Sequence, residues 1–207
     1  ANKVLKIKFP QTDDYMQEAE PEVTMLEVDL SFLGKEKYAF GVLASDGRIY
    51  CSSRMADKVL CIDPSTQSAY TVGSDLSSLS DNKFNGGAVV APSGVIYCFL
   101  RKDCGLLRII PPDQRRCKRT SLIQKDFKVD KTGENWWFGG AVGQDGKIYY
   151  TPGGANHVLR FDPETESMTL LDKDLGEFGS DHKWMTCAVA ANECIYAVPC
   201  NATKVLK

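Results

Sequence analysis

Apolar residues in this chain come in short bursts, never at the three- and four-residue spacing of a helix face. Residues 148–150 and 158–161 are typical: they are rich in the β-branched, aromatic and aliphatic side chains that suit extended backbone. Polar turn signals separate the bursts. Asp46-Gly47 and Asp145-Gly146 supply a glycine that accepts the positive φ of a tight hairpin. Asp63-Pro64-Ser65-Thr66 and Asp162-Pro163-Glu164-Thr165 supply a proline that presets φ at the second turn position. The pattern predicts many short antiparallel strands and no helix.

The same pattern recurs. An Ile-Tyr pair stands at Ile49-Tyr50, Ile96-Tyr97, Ile148-Tyr149 and Ile195-Tyr196, at intervals of 47, 52 and 47 residues. An apolar pair follows each: Val59-Leu60, Leu106-Leu107, Val158-Leu159 and Val205-Leu206, with the same element opening the chain as Val4-Leu5. A further marker returns as Leu26/Asp29-Leu30, Val72/Asp75-Leu76, Ile123/Asp126-Phe127 and Leu171/Asp174-Leu175. Each copy reads as four short strands, the first of them built from small residues. Four antiparallel strands per unit of about 47 residues is the mark of a β-propeller blade, which buries both faces only by stacking on its neighbours. The expected fold is therefore an all-β propeller, as a single domain or a fragment of one, with four repeats visible. Its units run approximately 1–36 (partial), 37–82, 83–135, 136–181 and 182–207 (partial). Both ends stop inside the same strand, so either further blades complete a ring of six or seven, or strands from the two termini pair to close four.

The resemblance carried by "DGKIYYTP" and "NHVLRFDPET" is to the tandem propeller repeats of the broad kelch, NHL and gluconolactonase/streptogramin-lyase group. It is closest to the "GG-V-A-x-x-G-x-IY-x-x-P-x-x-A-x-x-VL-x-x-DP" repeats of little-characterised protist proteins. Gluconolactonase-type propellers place acids and asparagines around a divalent metal at the central channel, and streptogramin-lyase relatives depend on a histidine there. The resemblance thus implies a metal-dependent lactonase or lyase as one alternative. The residues lean the other way. Of two histidines, His157 stands just ahead of the third strand, in a loop, and His182 has no Ser or Cys at short range to form a relay. Cys187 lies on an inner strand with nothing to mark it as a thiolate, and the inner strands offer Gly, Ala and Val with no repeated acid. Glu193 takes the place of a turn glycine. No catalytic residue, metal site or cofactor is expected.

Composition narrows this only a little. A net charge of -2 argues against generic polyanion binding, so no nucleic-acid partner is expected, and no apolar run is long enough to span a membrane. The eight cysteines contain no Cys-x-x-Cys pair; reduced buried thiols, one or more disulfides, and a metal site are all compatible with their spacing. "NAT" at 201–203 matches a glycosylation sequon and has no significance unless the protein is secreted.

Departures from the repeat are where a propeller carries function. Residues 10–36 hold eight acids against Lys35 alone, whereas residues 101–131 hold ten basic residues against four acids. Opposite charge on two loops suits docking to complementary proteins. Aromatics precede each inner strand, either as packing between blades or as a rim for a partner or sugar. The candidate interaction residues are Arg115, Arg116, Lys118, Arg119, Trp136, Trp137 and Trp184. The function expected is a noncatalytic scaffold that mediates protein–protein interaction as an accessory subunit of a multi-subunit assembly, with the propeller enzyme or a carbohydrate-binding propeller as alternatives.

Overall fold

Five antiparallel sheets follow one another along the chain in a computed structural model that describes residues 2–9, 20–79, 87–100, 105–112, 119–124, 136–179 and 181–207. A two-stranded sheet of β1 (Leu5–Lys8) and β2 (Glu22–Met25) comes first. The first complete blade is β3 (Tyr38–Leu43), β4 (Ile49–Ser53), β5 (Val59–Asp63) and β6 (Ser68–Val72). The second is β7 (Ala88–Val90), β8 (Ile96–Phe99), β9 (Gly105–Ile110) and β10 (Arg119–Gln124). The third is β11 (Trp137–Val142), β12 (Ile148–Pro152), β13 (Leu159–Asp162) and β14 (Ser167–Leu170). A closing pair, β15 (Trp184–Val189) and β16 (Ile195–Pro199), ends the series. Each complete blade is a meander in which neighbours in sequence are neighbours in the sheet. The fold is the expected all-β propeller architecture of repeated four-stranded blades, and the sheets do not close into a ring. Among the described residues the departures from an all-strand reading are two single 3-10 turns, Ser31–Leu33 and Gly176–Phe178, which lie in equivalent connections between blades.

Register holds the repeats together. The strand-two to strand-three pairs Cys51/Leu60, Cys98/Leu107 and Tyr150/Leu159 are directly opposite in successive blades, as are Ile49/Ile62, Ile96/Ile109 and Ile148/Phe161. Because side chains alternate across a strand, each blade sends one set of residues backward and the other forward. Ile96, Cys98, Leu107 and Ile109 of the second blade meet Tyr50, Val59 and Cys61 of the first. Its Tyr97, Phe99 and Leu106 meet Ile148, Tyr150, Leu159 and Phe161 of the third. Arg108 adds a polar tie by pairing with Glu166 of the third blade.

The inner strands β3, β7, β11 and β15 lie side by side in that order. Crowding there explains their small residues: a Cβ added at Gly139 would stand 3.0 Å from the Thr186 Cα. At the other end of the first and third blades, a polar brace recurs. Asp46 accepts from the Arg48 N–H (3.1 Å) and the Tyr50 hydroxyl (2.9 Å), and Asp145 does the same with Lys147 (3.1 Å) and Tyr149 (2.9 Å). Gly47 and Gly146 turn these hairpins at φ 78° and 74°, and Glu193 adopts the same left-handed conformation at φ 67°. Arg48 and Lys147 then reach the second hairpin, donating to Asp63 at 2.8 Å and Asp162 at 3.1 Å.

This brace sets an acid limit. The Ser65 hydroxyl, then the Arg48 guanidinium, hold the Asp63 carboxyl down from its ordinary 3.8 to about 2. A depressed carboxylate stabilises the fold fully above its unfolded value and loses that contribution as pH falls through the folded one. Stability is expected to decline between pH 3.8 and about 2, and Asp63→Asn is expected to flatten that decline. Urea unfolding at a series of pH values tests it; an unchanged acid slope in the variant would reject the assignment.

Candidate functional site

At the edge where the inner strands begin, the first and third blades and the last sheet share one construction. The carbonyl just before or at the strand start gathers N–H groups from the returning loop. Lys37 O accepts from Arg54, Met55 and Ala56 (2.8, 3.3 and 3.3 Å), Trp136 O from Gly153, Gly154 and Ala155 (3.1, 3.2 and 3.4 Å), and Lys183 O from Cys200 and Ala202 (2.8 and 3.3 Å). The next residue is a large aromatic: Trp137 Nε1 donates to His157 O (2.8 Å) and Trp184 Nε1 to Lys204 O (2.9 Å). Tyr38 holds the same position, and its buried hydroxyl has no hydrogen-bond partner among the described residues.

One part of this edge departs from the shared scheme in a way that carries chemistry. Asp181 Oδ1 lies 2.5 Å from His182 Nδ1. The His182 ring rests edge-on against Trp136 (centroids 4.6 Å, 73°) and beside Phe138 (5.6 Å, 39°). Asn201 fixes the pair from the neighbouring loop, with its N–H donating to His182 O (2.9 Å) and its side-chain amide to Asp181 O (3.2 Å). Beneath, the fully buried Lys183 donates to Gly154 O at 3.1 Å. A carboxylate on Nδ1 orients an imidazole and leaves the opposite nitrogen to exchange protons. Reading the sequence for a Ser or Cys partner overlooked this pair; the signal was the acid immediately before the histidine in "SDHKW".

His157 is a loop residue, as its sequence position implies: its Nδ1 lies 2.9 Å from Leu171 O and its own carbonyl accepts from Trp137. Burial pushes the Cys187 thiol up to about 11, so this side chain is not a thiolate near neutrality. The six described cysteines are free thiols, and Cys104 and Cys117 lie outside the described residues. Among the described residues no three His, Cys, Asp or Glu side chains are grouped to hold a metal, and no helix is long and apolar enough to cross a membrane.

Of the candidate interaction residues, Arg115, Arg116 and Lys118 lie outside the described residues. Arg119 opens β10, opposite Ile110. Trp136, Trp137 and Trp184 are all buried, so none presents its ring to solvent. Trp137 packs edge-on against Phe99 at 5.3 Å, and Trp184 lies tilted against Phe178 at 5.6 Å. In the acidic segment, residues 10–19 are outside the described residues. Farther along, Glu27 pairs with Lys3 (3.4 Å), Glu36 pairs with Arg54 (3.3 Å), and Asp29 accepts from the Ser31 N–H (2.8 Å).

Uncovered apolar surface lies at the two ends of the series. Leu5, Ile7, Val23 and Met25 share one face of β1 and β2, and each is more than half exposed. The counterparts of Leu5 in complete blades are core, with Leu60, Leu107 and Leu159 at most 3% exposed, as are Ile109 and Phe161 at the position of Ile7, at most 2%, whereas Leu122 at the position of Met25 is 38% exposed. At the other end Val198 and Val205 are 53% and 60% exposed, where Phe99, Val59 and Leu106 are at most 1%.

No family model matches the chain, and no curated protein matches it either. Solved structures do. A catalytically inactive histidine-to-alanine variant of virginiamycin B lyase from Staphylococcus aureus, solved with quinupristin, is similar at a TM-score of 0.66 and 15% identity, over 91% of this chain and 56% of that one. A streptogramin B lyase structure is similar at 0.57 and 10% identity, over 86% and 52%. Kuenenia stuttgartiensis hydrazine synthase is similar at 0.55 and 16% identity, over 78% and 41%. At these identities the likeness shows the β-propeller fold alone, and the chain spans about half the length of the lyases it matches.

Proposed function

We propose that this chain acts as a noncatalytic β-propeller scaffold that mediates protein–protein interaction within a larger assembly. The observation that carries the reading is the pair of uncovered sheet faces. Leu5, Ile7, Val23 and Met25 on one face, and Val198 and Val205 on the other, are each more than half exposed. Covering the half-exposed Leu5, Ile7, Val23 and Met25 would contribute about 1 kcal/mol each, at ~25 cal/mol per Å² of apolar surface. Contiguous exposed apolar surface of this kind marks a place where another apolar surface packs. The partner that fits is another apolar sheet face of blade type. The basic residues Arg115, Arg116, Lys118 and Arg119 are proposed as further polar contacts, complementary to an acidic partner surface.

Photo-crosslinkers placed at Val23 and at Val198 test this in native extract. The expected result is a defined adduct at one or both positions, lost on Val23→Asp or Val198→Asp. A chain that remains a 22.9 kDa monomer and yields no adduct at either position rejects the scaffold reading.

The Asp181 and His182 pair favours a second reading, a propeller enzyme of lyase or lactonase type with His182 as general base. A screen of lactone and cyclic-depsipeptide substrates tests it. Activity that falls at least about 100-fold in His182→Ala supports it, and activity untouched by that change rejects it.

A further inference from the structure

Residue 182 stands in a slot that the repeat fills differently in each copy: Glu36, Asn82, Asn135 and His182 each come just before the residue pair that opens an inner strand. Glu36 and His182 share the left-handed backbone, at φ 46° and 48°. The first copy uses the slot for an ion pair, Glu36 with Arg54 at 3.3 Å. The last sheet places an imidazole there, with Asp181 on its Nδ1 at 2.5 Å. The structure assigns Trp136, Phe138 and Gly153 of the third blade as positioning residues for that imidazole, fixing its tautomer so that Nε2 is the nitrogen that exchanges protons. The catalytic use of this placement rests on the second reading, in which His182 is the general base.

Three departures from the repeat coincide at this one junction. Trp136 stands where the other copies carry Lys37, Lys83 and Lys183. Phe138, the residue after the strand-opening aromatic, stands where they carry Ala39, Asn85 and Met185. The register shifts at this place in β3, β11 and β15 alike, and a bulge of this kind re-aims a side chain. In β11 the side chain is a phenyl ring, 4.7 Å from the Trp136 ring at 88° and 5.6 Å from the His182 ring. Gly153 is the third departure, since the other copies carry Arg54, Arg101 and Cys200. A Cβ at Gly153 would lie 2.7 Å from one Phe138 ring atom and 2.8 Å from a Trp136 ring atom. The glycine is what lets two rigid rings stand together as a wall for the histidine.

The histidine backbone is held from both neighbours. The Asn201 N–H donates to His182 O at 2.9 Å, and the Lys183 N–H donates to Gly153 O at 3.0 Å. With the backbone fixed and two rings against it, the imidazole keeps little rotamer freedom. The carboxylate on Nδ1 then selects the neutral tautomer whose proton sits on that nitrogen. The side chain stays 38% exposed, so the ring is not sealed from a bound molecule. A side chain held in this way is preorganised for proton transfer.

Nitrogen-15 spectra of the histidine-labelled chain test the assignment, because its two histidines give separate signals. At about pH 9, where imidazoles are neutral, His182 is expected to favour the Nδ1–H tautomer at least about tenfold. Gly153→Ala, and independently Trp136→Leu, are expected to lower that preference to about threefold or less, the level of a solvated pair. Trp136→Phe is expected to keep it. His157, whose Nδ1 lies 2.9 Å from Leu171 O, reports by an unchanged signal that each variant is folded. A His182 tautomer ratio unmoved in both variants, or an even ratio in the parent chain, overturns the proposal. With a substrate from the lactone and depsipeptide screen, the same two variants are expected to lower kcat about 10–100-fold with KM little changed, and an unchanged kcat overturns the catalytic use. If nothing is turned over, only the general-base reading is lost, and the tautomer ratio still decides the positioning.

Discussion

Replacing Trp137 by alanine is expected to cost about 4 kcal/mol of stability. Trp137 is 2% exposed and lies where the second and third blades meet. Its ring packs against Phe99 across that junction, and its Nε1 donates to His157 O at 2.8 Å. Alanine removes the buried ring, leaves a cavity that neighbouring strands cannot collapse into, and strands a carbonyl, a loss of about 1 kcal/mol by itself. Since ordinary domains carry only about 5–15 kcal/mol, the variant stands close to unfolding. Trp137→Phe provides the measurable intermediate: it keeps most of the ring area and gives up the hydrogen bond, with an expected loss of about 1–2 kcal/mol. Urea unfolding midpoints at constant m-value read both changes. A cost below about 1 kcal/mol for the alanine variant would mean that this indole is not packed between blades.

The second large effect is expected at Gly139. A Cβ there would meet the Thr186 Cα at 3.0 Å and the Met185 carbonyl oxygen at 3.3 Å. These are backbone atoms of β15, so no rotamer change relieves the clash, and β15 has to move away from β11. Gly139→Val is expected to cost about 2–3 kcal/mol, at the upper end of overpacking. Gly41 is the control. Its added Cβ would meet the Cys51 Sγ at 3.2 Å and an Ile49 methyl at 3.3 Å, both side-chain atoms that can shift. Gly41→Ala is expected to cost less than about 1 kcal/mol. Hydrogen exchange localises the difference: faster exchange in β15 and β16 for Gly139→Val, with the first blade unaffected. Equal costs at the two glycines would show that the inner strands are not crowded in the way the geometry gives.

The strands, their order and their grouping into blades were legible from the chain because they rest on local chemistry. Alternation in "KIYY" and "VLRFD", and the Asp-Gly and Asp-Pro turns, act over a few residues and need no distant partner. The candidate site was less legible. "SDHKW" contains the acid and the histidine side by side, but the stacking on Trp136 and Phe138 and the bond from Asn201 come from other elements. Nor could spacing decide whether the aromatics ahead of the inner strands face a partner or the neighbouring blade. Trp137 and Trp184 turn inward because a backbone carbonyl 20 residues on, at His157 and Lys204, accepts from each indole.

Leu5 and Leu60 show the division most plainly. They are the same residue in the same strand of the same repeat, preceded by the same valine. The amino-acid sequence by itself determined that both extend in a strand and point to one face of a sheet. Only the tertiary structure decided that Leu60 is buried at 3% exposure and Leu5 is open at 54%. Strand formation is a property of neighbouring residues, whereas burial depends on whether another sheet lies against that face.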